Sequence, residues 1–121
     1  MIEQITEFYR LEFYDSYVII EGNSNISVNS SIAENILKKI FDHFKDRKFV
    51  IVSNRISEYK LQADAYSPAI LKKVKGIAIV SKNSEVRDQA ILEQKKFNGS
   101  FAFFENLDDA KNWAENFFSN Y

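Results

Sequence analysis

The side chains best suited to binding chemistry in this sequence follow directly after an apolar run. Residues 49–53 are mostly apolar; Asn54 and Arg55 come next, with Ser57 and Tyr59 close behind. The guanidinium of Arg55 is a planar fork of donors that matches a carboxylate or a phosphate, whereas Asn54 can hydrogen-bond to local backbone. A structural interpretation is also open, in which Asn54 shapes a turn and Arg55 pairs with a surface acid.

A second polar segment, residues 81–84, follows the next long apolar run. It contains Lys82 and Asn83, and the backbone amides that open the following helix form a natural position for an anion. Arg87, one helical turn further on, could support such an anion. The simpler alternative is that Ser84 only caps the helix.

Both polar segments are expected at the carboxyl ends of parallel strands, where open α/β sheets bind their ligands. If the two strands are neighbours, the segments form one polar rim. The candidate rim consists of Ser53, Asn54, Arg55, Ser57, Tyr59, Lys82, Asn83 and Arg87. Because such a rim lies outside the core, the sequence predicts that Arg55→Ala leaves stability nearly intact.

Alternating strands and helices predict the sheet that carries this rim. Residues 4–13 alternate between apolar and polar side chains, and with a strand at residues 17–20 they predict a hairpin. Further strands are expected at residues 49–52, 74–80 and 101–104, and helices at 31–47, 67–73, from 84 and from 106. The order ββαβαβαβα predicts an α/β fold: a mostly parallel sheet, an N-terminal antiparallel hairpin and four helices, in one domain over residues 1–121.

Local signals refine these elements. Ser31 and Glu34 have the spacing of a capping box, and Asn106 is the expected cap of the last helix. Gly76, inside a buried strand, indicates a bulge or a close backbone approach. The third helix is expected to turn Val86, Ala90, Ile91 and Phe97 towards the core, and the last helix Leu107, Ala110, Trp113, Ala114 and Phe117.

Composition excludes several chemistries. Cysteine is absent, which excludes disulfides, thiolate catalysis and cysteine-ligated zinc, and the one histidine, His43, has no candidate triad. Gly22, Gly76 and Gly99 lie far apart, so no phosphate-cradling loop is present. We expect neither a metal site nor a cofactor. A net charge of −1 gives no global field towards nucleic acid.

The chain carries no targeting signal that we recognise. Its first residues, MIEQITEFYR, lack the apolar region of a secretory signal, and no apolar run approaches the roughly 18 residues that a membrane span needs. The expectation is therefore a cytoplasmic protein with no integral membrane segment.

Aromatic residues are numerous, with 11 Phe and 6 Tyr. We expect the core to be too small for all of them and some to be left outside it, from among Tyr9, Phe13, Tyr14, Tyr17, Tyr59 and Tyr66. They would then form a partner surface or an apolar ligand cleft, or else simply pack across the hairpin. Phe118 and Tyr121 need another cover, for which a second copy of the chain is one candidate.

Three segments resemble the STAS domain, and more closely its SpoIIAA-like branch, which shares an architecture with CRAL-TRIO lipid-binding domains. They are FVIVSNRISEY, VKGIAIVSKN and FAFFENLDDAKNWAENF, and the resemblance covers nearly the whole chain. Classical antagonists of this family carry an Asp-Ser-Ser-Gly-like phosphorylation motif after the third strand. Here the preceding Asp and the following Gly are missing, so the phosphoswitch is not carried over to Ser53 or Ser57.

The resemblance implies a non-enzymatic regulatory or interaction module, with a protein partner or a homodimer. It also leaves open a binder of a small apolar or amphipathic ligand, whose polar head Arg55 or Lys82 would hold. Such a binder needs an enclosed apolar cavity of roughly 300 Å³ or more. An enzyme is the weakest alternative, because no nucleophile–base pair is visible in the sequence.

Overall fold

The computed structural model describes residues 1–22, 27–28, 30–55, 60–61, 73–95, 97 and 99–119. Several sequence predictions lie outside these residues: the helix at 67–73 apart from Lys73, and the side chains of Ser57, Tyr59, Tyr66 and Tyr121.

The described residues form eight strands and three helices. The strands are β1 (Ile2–Ile5), β2 (Tyr9–Phe13), β3 (Tyr17–Gly22), β4 (Ser27–Val28), β5 (Phe49–Asn54), β6 (Lys60–Leu61), β7 (Val74–Val80) and β8 (Ser100–Phe104). The helices are α1 (Ser30–Phe44), α2 (Ser84–Gln94) and α3 (Leu107–Asn116). The described residues thus contain three helices, and the predicted count of four is not supported.

Six strands form a mixed sheet in the order β1-β2-β3-β5-β7-β8, and β4 pairs with β6 separately. Strands β1, β2 and β3 are antiparallel neighbours, whereas β3, β5, β7 and β8 run parallel. This confirms an α/β fold with an N-terminal antiparallel hairpin. Because β3, β5 and β7 are parallel, their carboxyl ends lie at the same end of the sheet.

The sequence predicted one strand over residues 4–13. The structure has two strands there, β1 and β2, joined by a turn. The Thr6 hydroxyl accepts hydrogen bonds from the backbone amides of Phe8 and Tyr9, at 3.2 and 3.1 Å, which reverses the chain between β1 and β2. The apolar–polar alternation continues across this turn, because Ile5 and Tyr9 have the same parity on either side of it. Periodicity alone therefore could not locate it.

Of three predicted helix caps, two differ from the structure and one is confirmed. Helix α1 begins at Ser30, so Ser31 lies inside its first turn and the predicted capping box is wrong. The cap of α2 is Asn83 rather than Ser84, since the Asn83 side chain accepts from the backbone amide of Glu85. Asn106 caps α3 as predicted, accepting from the Asp109 amide at 2.9 Å.

The core lies on both faces of the sheet, because successive side chains of a strand point to opposite sides. On one face, α1 and α2 pack through Ile40, Phe44 and Ala90 onto strand residues such as Phe49 and Ile77. On the other face, α3 packs through Ala110 and Ala114 onto Val50, Val52, Ala78 and Val80. The strand ends are therefore held from both sides.

Gly76 marks both a bulge and a close approach, as predicted. The β5–β7 register shifts between Phe49, opposite Val74, and Val50, opposite Gly76. A Cβ atom at Gly76 would lie 2.9 Å from Phe117 Cε2 and 3.0 Å from Trp113 Cη2. The missing side chain lets the aromatic end of α3 pack onto the sheet.

The aromatic residues of the hairpin are packed rather than exposed. Tyr9, Phe13 and Tyr17 are buried, so the exposed patch suggested for them is wrong. Tyr14 is half-buried and stacks on Tyr17, with ring centroids 4.4 Å apart. Phe118 is partly buried against the core on the α3 face, so part of its cover comes from this chain itself.

Candidate functional site

The polar residues at the end of β5 lie inside the protein rather than on its rim. Ser53 and Asn54 are the last residues of the strand, which runs further than the sequence predicted. Ser53, Asn54 and Arg55 are 7%, 3% and 5% exposed. Successive side chains alternate between the two faces of the sheet. Ser53 and Arg55 therefore point to the face covered by α1 and α2, and Asn54 points to the face covered by α3.

Arg55 forms a buried, bidentate ion pair with Glu93 of α2. Its Nη1 and Nη2 atoms donate to Glu93 Oε2 and Oε1, each at 2.6 Å, and its Nε donates to Ser53 Oγ at 3.0 Å. The two charged side chains are only 4% and 8% exposed. The fork that the sequence offered to an external carboxylate or phosphate is thus engaged by a carboxylate of the same chain.

Glu93 is a residue that the sequence analysis missed. It follows Ala90 by three positions on α2, and both residues are buried. Ile91, predicted to face inwards, is instead 43% exposed. The signal was present in the helical spacing: Val86, Ala90, Glu93 and Phe97 share one side of a helix, and only the charge of Glu93 argued against placing it inside.

Asn54 bridges to the neighbouring strand β3 on the other face of the sheet. Its Nδ2 donates to Glu21 Oε1 at 2.8 Å, whereas its buried Oδ1 has no hydrogen-bond partner among the described residues. Glu21 in turn lies 3.9 Å from Arg10, which also pairs with Glu3 and Glu12. The hydrogen bond to Glu3 is the largest cause of the raised pKa of Arg10.

The second polar segment lies beside the first, as the sequence predicted. Strands β5 and β7 are neighbours with Asn54 opposite Val80, and the Arg55 amide donates to the Val80 carbonyl at 2.9 Å. Within this segment Lys82 is exposed and Asn83 half-buried. The exposed Arg87 lies over the ring of Phe103, at 6.0 Å from its centroid.

The solvent-facing side of α2, which carries Arg87, and the exposed Lys82 just before the helix are accompanied by apolar side chains. Ile91 and Leu92 are 43% and 59% exposed, although both are large hydrophobic residues. We call Lys82, Arg87, Ile91 and Leu92 the α2 outer surface. Because Glu93 is tied to Arg55 on the inner side, the helix presents this surface in a fixed orientation.

A separate groove lies along α3, away from the carboxyl ends of the parallel strands. It has a volume of about 430 Å³, is open to solvent, and is lined by Asn112, Trp113, Asn116 and Phe117. It is therefore a surface groove and not the enclosed apolar cavity expected of a ligand binder. Its polar lining residues are Asn112 and Asn116. Arg55 and Lys82, which the sequence offered for a ligand's polar head, do not line it.

The other residues considered for catalysis, His43 and the pair Asp108 and Asp109, make contacts that stabilise the fold. His43 stacks on Phe13, with ring centroids 4.4 Å apart. Asp108 and Asp109 lie in the first turn of α3, where negative charge offsets the helix dipole. In the described ranges, no group of three or more His, Cys, Asp or Glu side chains could hold a metal ion. Nor does any described helix have the length and apolar character to cross a membrane.

The mixed sheet with α1 and α2 on one face and α3 on the other is a SpoIIAA-like fold. The chain is similar to an uncharacterized protein of the DUF3478 family with a SpoIIAA-like fold, from Shewanella loihica PV-4. The sequence identity is 18%, the coverage is 94% of this chain and 96% of that chain, and the TM-score is 0.64. At this identity the similarity establishes the fold alone. No family model and no curated protein matches the chain.

Proposed function

We propose that this chain is a non-enzymatic protein-interaction module of the cytoplasm, and that it contacts its partner through the α2 outer surface. The observation that carries the proposal is the exposure of Ile91 and Leu92, at 43% and 59%, on a helix whose inner side is anchored. Large apolar side chains that are exposed beside an arginine are of the kind that a protein–protein interface would bury.

Anchoring of α2 supports this assignment in energetic terms. Binding is weakened by the free energy needed to order a flexible surface, so a surface fixed in advance binds more tightly. The Arg55–Glu93 pair joins α2 to the end of β5, and Ala90 packs between the same elements. Ile91 and Leu92 therefore project from a rigid support.

A site-specific photo-cross-linking experiment tests this surface. A photoreactive phenylalanine analogue replaces Leu92 in one variant and Ile5 in a matched control, since Ile5 is 68% exposed on β1. We expect a discrete protein adduct from position 92 and none from position 5. An adduct of twice the chain's mass would identify the partner as a second copy. Adducts at position 5 with none at position 92 would overturn the assignment.

The α3 groove favours a second candidate function, the binding of a small amphipathic ligand on an open surface rather than in the enclosed apolar cavity expected from the sequence. Its volume of about 430 Å³ would hold a drug-sized ring system, with Trp113 and Phe117 as apolar walls and Asn112 and Asn116 as polar contacts. Native mass spectrometry of the purified chain tests it. Extra mass that is lost on denaturation, and is missing from Asn112→Leu, would support this function; an unmodified mass would count against it.

A further inference from the structure

Basic side chains gather where the parallel strands begin, at the opposite end of the sheet from the candidate rim. Lys45 and Arg47 follow α1, Lys48 immediately precedes β5, and Lys73 and Lys75 flank the first residue of β7. We call these five residues the basic end. The Lys73 ammonium donates to the Lys45 carbonyl at 3.2 Å, which shows that the segments meet.

Lys45 occupies a backbone conformation that a lysine adopts at a cost. Its φ is 56°, in the left-handed region that glycine or asparagine usually supplies after a helix. Its amide donates to the Phe41 carbonyl at 2.7 Å, which closes the end of α1. A glycine would close the helix with less strain, so Lys45→Gly removes this side chain without a backbone penalty.

Two of the other cations are held in place. Arg47 donates to the carbonyls of His43, Phe44 and Asp15, and its guanidinium lies over the Phe44 ring at 5.4 Å. The Lys73 ammonium lies over the half-buried Phe41 ring at 5.5 Å. These contacts also offset the negative carbonyl end of α1. The positive charges of both side chains are held in place by them and still face solvent.

Acidic groups at this end are few and scattered. Asp42 lies on the last turn of α1, and Asp15 and Asp46 lie on the neighbouring turns, all three exposed. Among the described residues, no ion pair joins Lys45, Lys48 or Lys73 to any of them. The basic end therefore carries a local excess of positive charge, although the net charge of the whole chain is −1.

From charge complementarity we propose that the basic end docks an acidic segment of another protein. A nucleic acid is disfavoured because the aromatic rings described at this end, Phe41 and Phe44, lie beneath cations rather than forming exposed platforms for base stacking. A membrane surface is disfavoured because the exposed large hydrophobic residues of the described ranges lie elsewhere, at Met1, Ile2, Ile5, Phe8, Ile91 and Leu92. This surface is independent of the α2 outer surface.

Fluorescence anisotropy with a labelled ten-residue glutamate peptide tests the proposal. Lys45→Gly should weaken binding roughly two- to fivefold while raising the urea midpoint, because it removes a charge and relieves the backbone. Lys48→Glu should weaken binding about tenfold, and Lys38→Glu, a matched reversal at an exposed site on α1, should change it little. Affinity should also fall as salt is raised.

The opposing outcomes are equally defined. Unchanged affinity in Lys45→Gly and Lys48→Glu, or equal losses in Lys48→Glu and Lys38→Glu, would overturn the proposal. So would tighter binding to a single-stranded oligonucleotide or to phosphatidylserine vesicles than to the peptide. Because Lys45→Gly is expected to be the more stable protein, a loss of binding in that variant cannot be ascribed to unfolding.

Discussion

The guanidinium of Arg55, at the end of β5, and the carboxylate of Glu93, on α2, are joined by two hydrogen bonds of 2.6 Å across 38 residues of sequence. Both side chains are almost completely removed from solvent. In a site of low dielectric each charge depends on the other, since an unpaired buried charge is strongly unfavourable. The pair thus ties the polar end of the central strand to the helix that follows β7.

Arg55→Ala should destabilise the protein, contrary to the prediction from sequence that its stability would be nearly unchanged. Removal of the guanidinium leaves the Glu93 carboxylate buried without its partner, which costs about 3–5 kcal/mol. Urea unfolding followed by the fluorescence of the single tryptophan would measure the loss. Lys82→Ala, at an exposed residue on the same end of the sheet, is the control and should stay within about 0.5 kcal/mol.

The double variant Arg55→Met, Glu93→Leu separates the pair's net contribution from the cost of breaking it. Apolar side chains of similar length remove both buried charges, so we expect the double variant to be much more stable than Arg55→Ala. A double-mutant cycle with Arg55→Met and Glu93→Leu alone gives the coupling energy. Additive effects of the two single changes would contradict a direct pairing in solution.

Asn54→Asp should destabilise the protein in a pH-dependent manner. The introduced carboxylate would be buried and would face Glu21, which the Asn54 amide now contacts at 2.8 Å. We expect a loss of about 3 kcal/mol at pH 7. Like charge and burial both raise the pKa of the introduced carboxyl, so the loss should shrink as the pH falls towards 4. Glu21→Gln in the same background should recover part of the stability; no recovery would rule out the repulsion.

The Tyr17 hydroxyl should make stability fall at high pH. Burial, and then its 2.9 Å hydrogen bond to Glu115, raise the pKa of Tyr17 well above its ordinary value of 10.0. A raised pKa means that the folded state holds this proton more tightly, so the stabilisation is complete below about pH 10 and is lost as the pH rises further. The free energy of unfolding measured between pH 9 and 11 should therefore decline more steeply in the native chain than in Tyr17→Phe. Equal slopes would contradict the assignment, and Tyr14→Phe serves as the control.

The sequence predicted the strands and helices well because their burial follows simple periods. The continuous apolar runs of β5 and β7, the stripe of α3 and the small residue at position 76 all appear where packing requires them. The turn between β1 and β2 escaped because apolar residues keep the same parity in the sequence on either side of it, although the register pairs Ile5 with Arg10 and leaves Ile5 exposed.

The candidate site was predicted less well than the fold, and for a physical reason. Sequence patterns place charged residues outside, since a lone buried charge is costly, yet Arg55 and Glu93 satisfy each other through contacts that no local pattern encodes. Once Glu93 occupies the inner side of α2, Ile91 and Leu92 turn towards solvent. The exposed apolar surface and the buried ion pair thus follow from one orientation of α2, which the spacing of Ala90 and Glu93 indicates only if a buried charge is allowed.

Gly76→Ala tests how tightly α3 is packed onto the sheet. The new methyl group would lie 2.9 Å from Phe117 Cε2 and 3.0 Å from Trp113 Cη2, closer than such atoms can approach. The rings must therefore move, and we expect a loss of about 1–3 kcal/mol in urea unfolding together with a shift in the emission of Trp113. Combining Gly76→Ala with Phe117→Leu should cost less than the sum of the two changes, because the smaller side chain makes room for the methyl group. Additivity between them would mean that the aromatic end of α3 does not rest on Gly76.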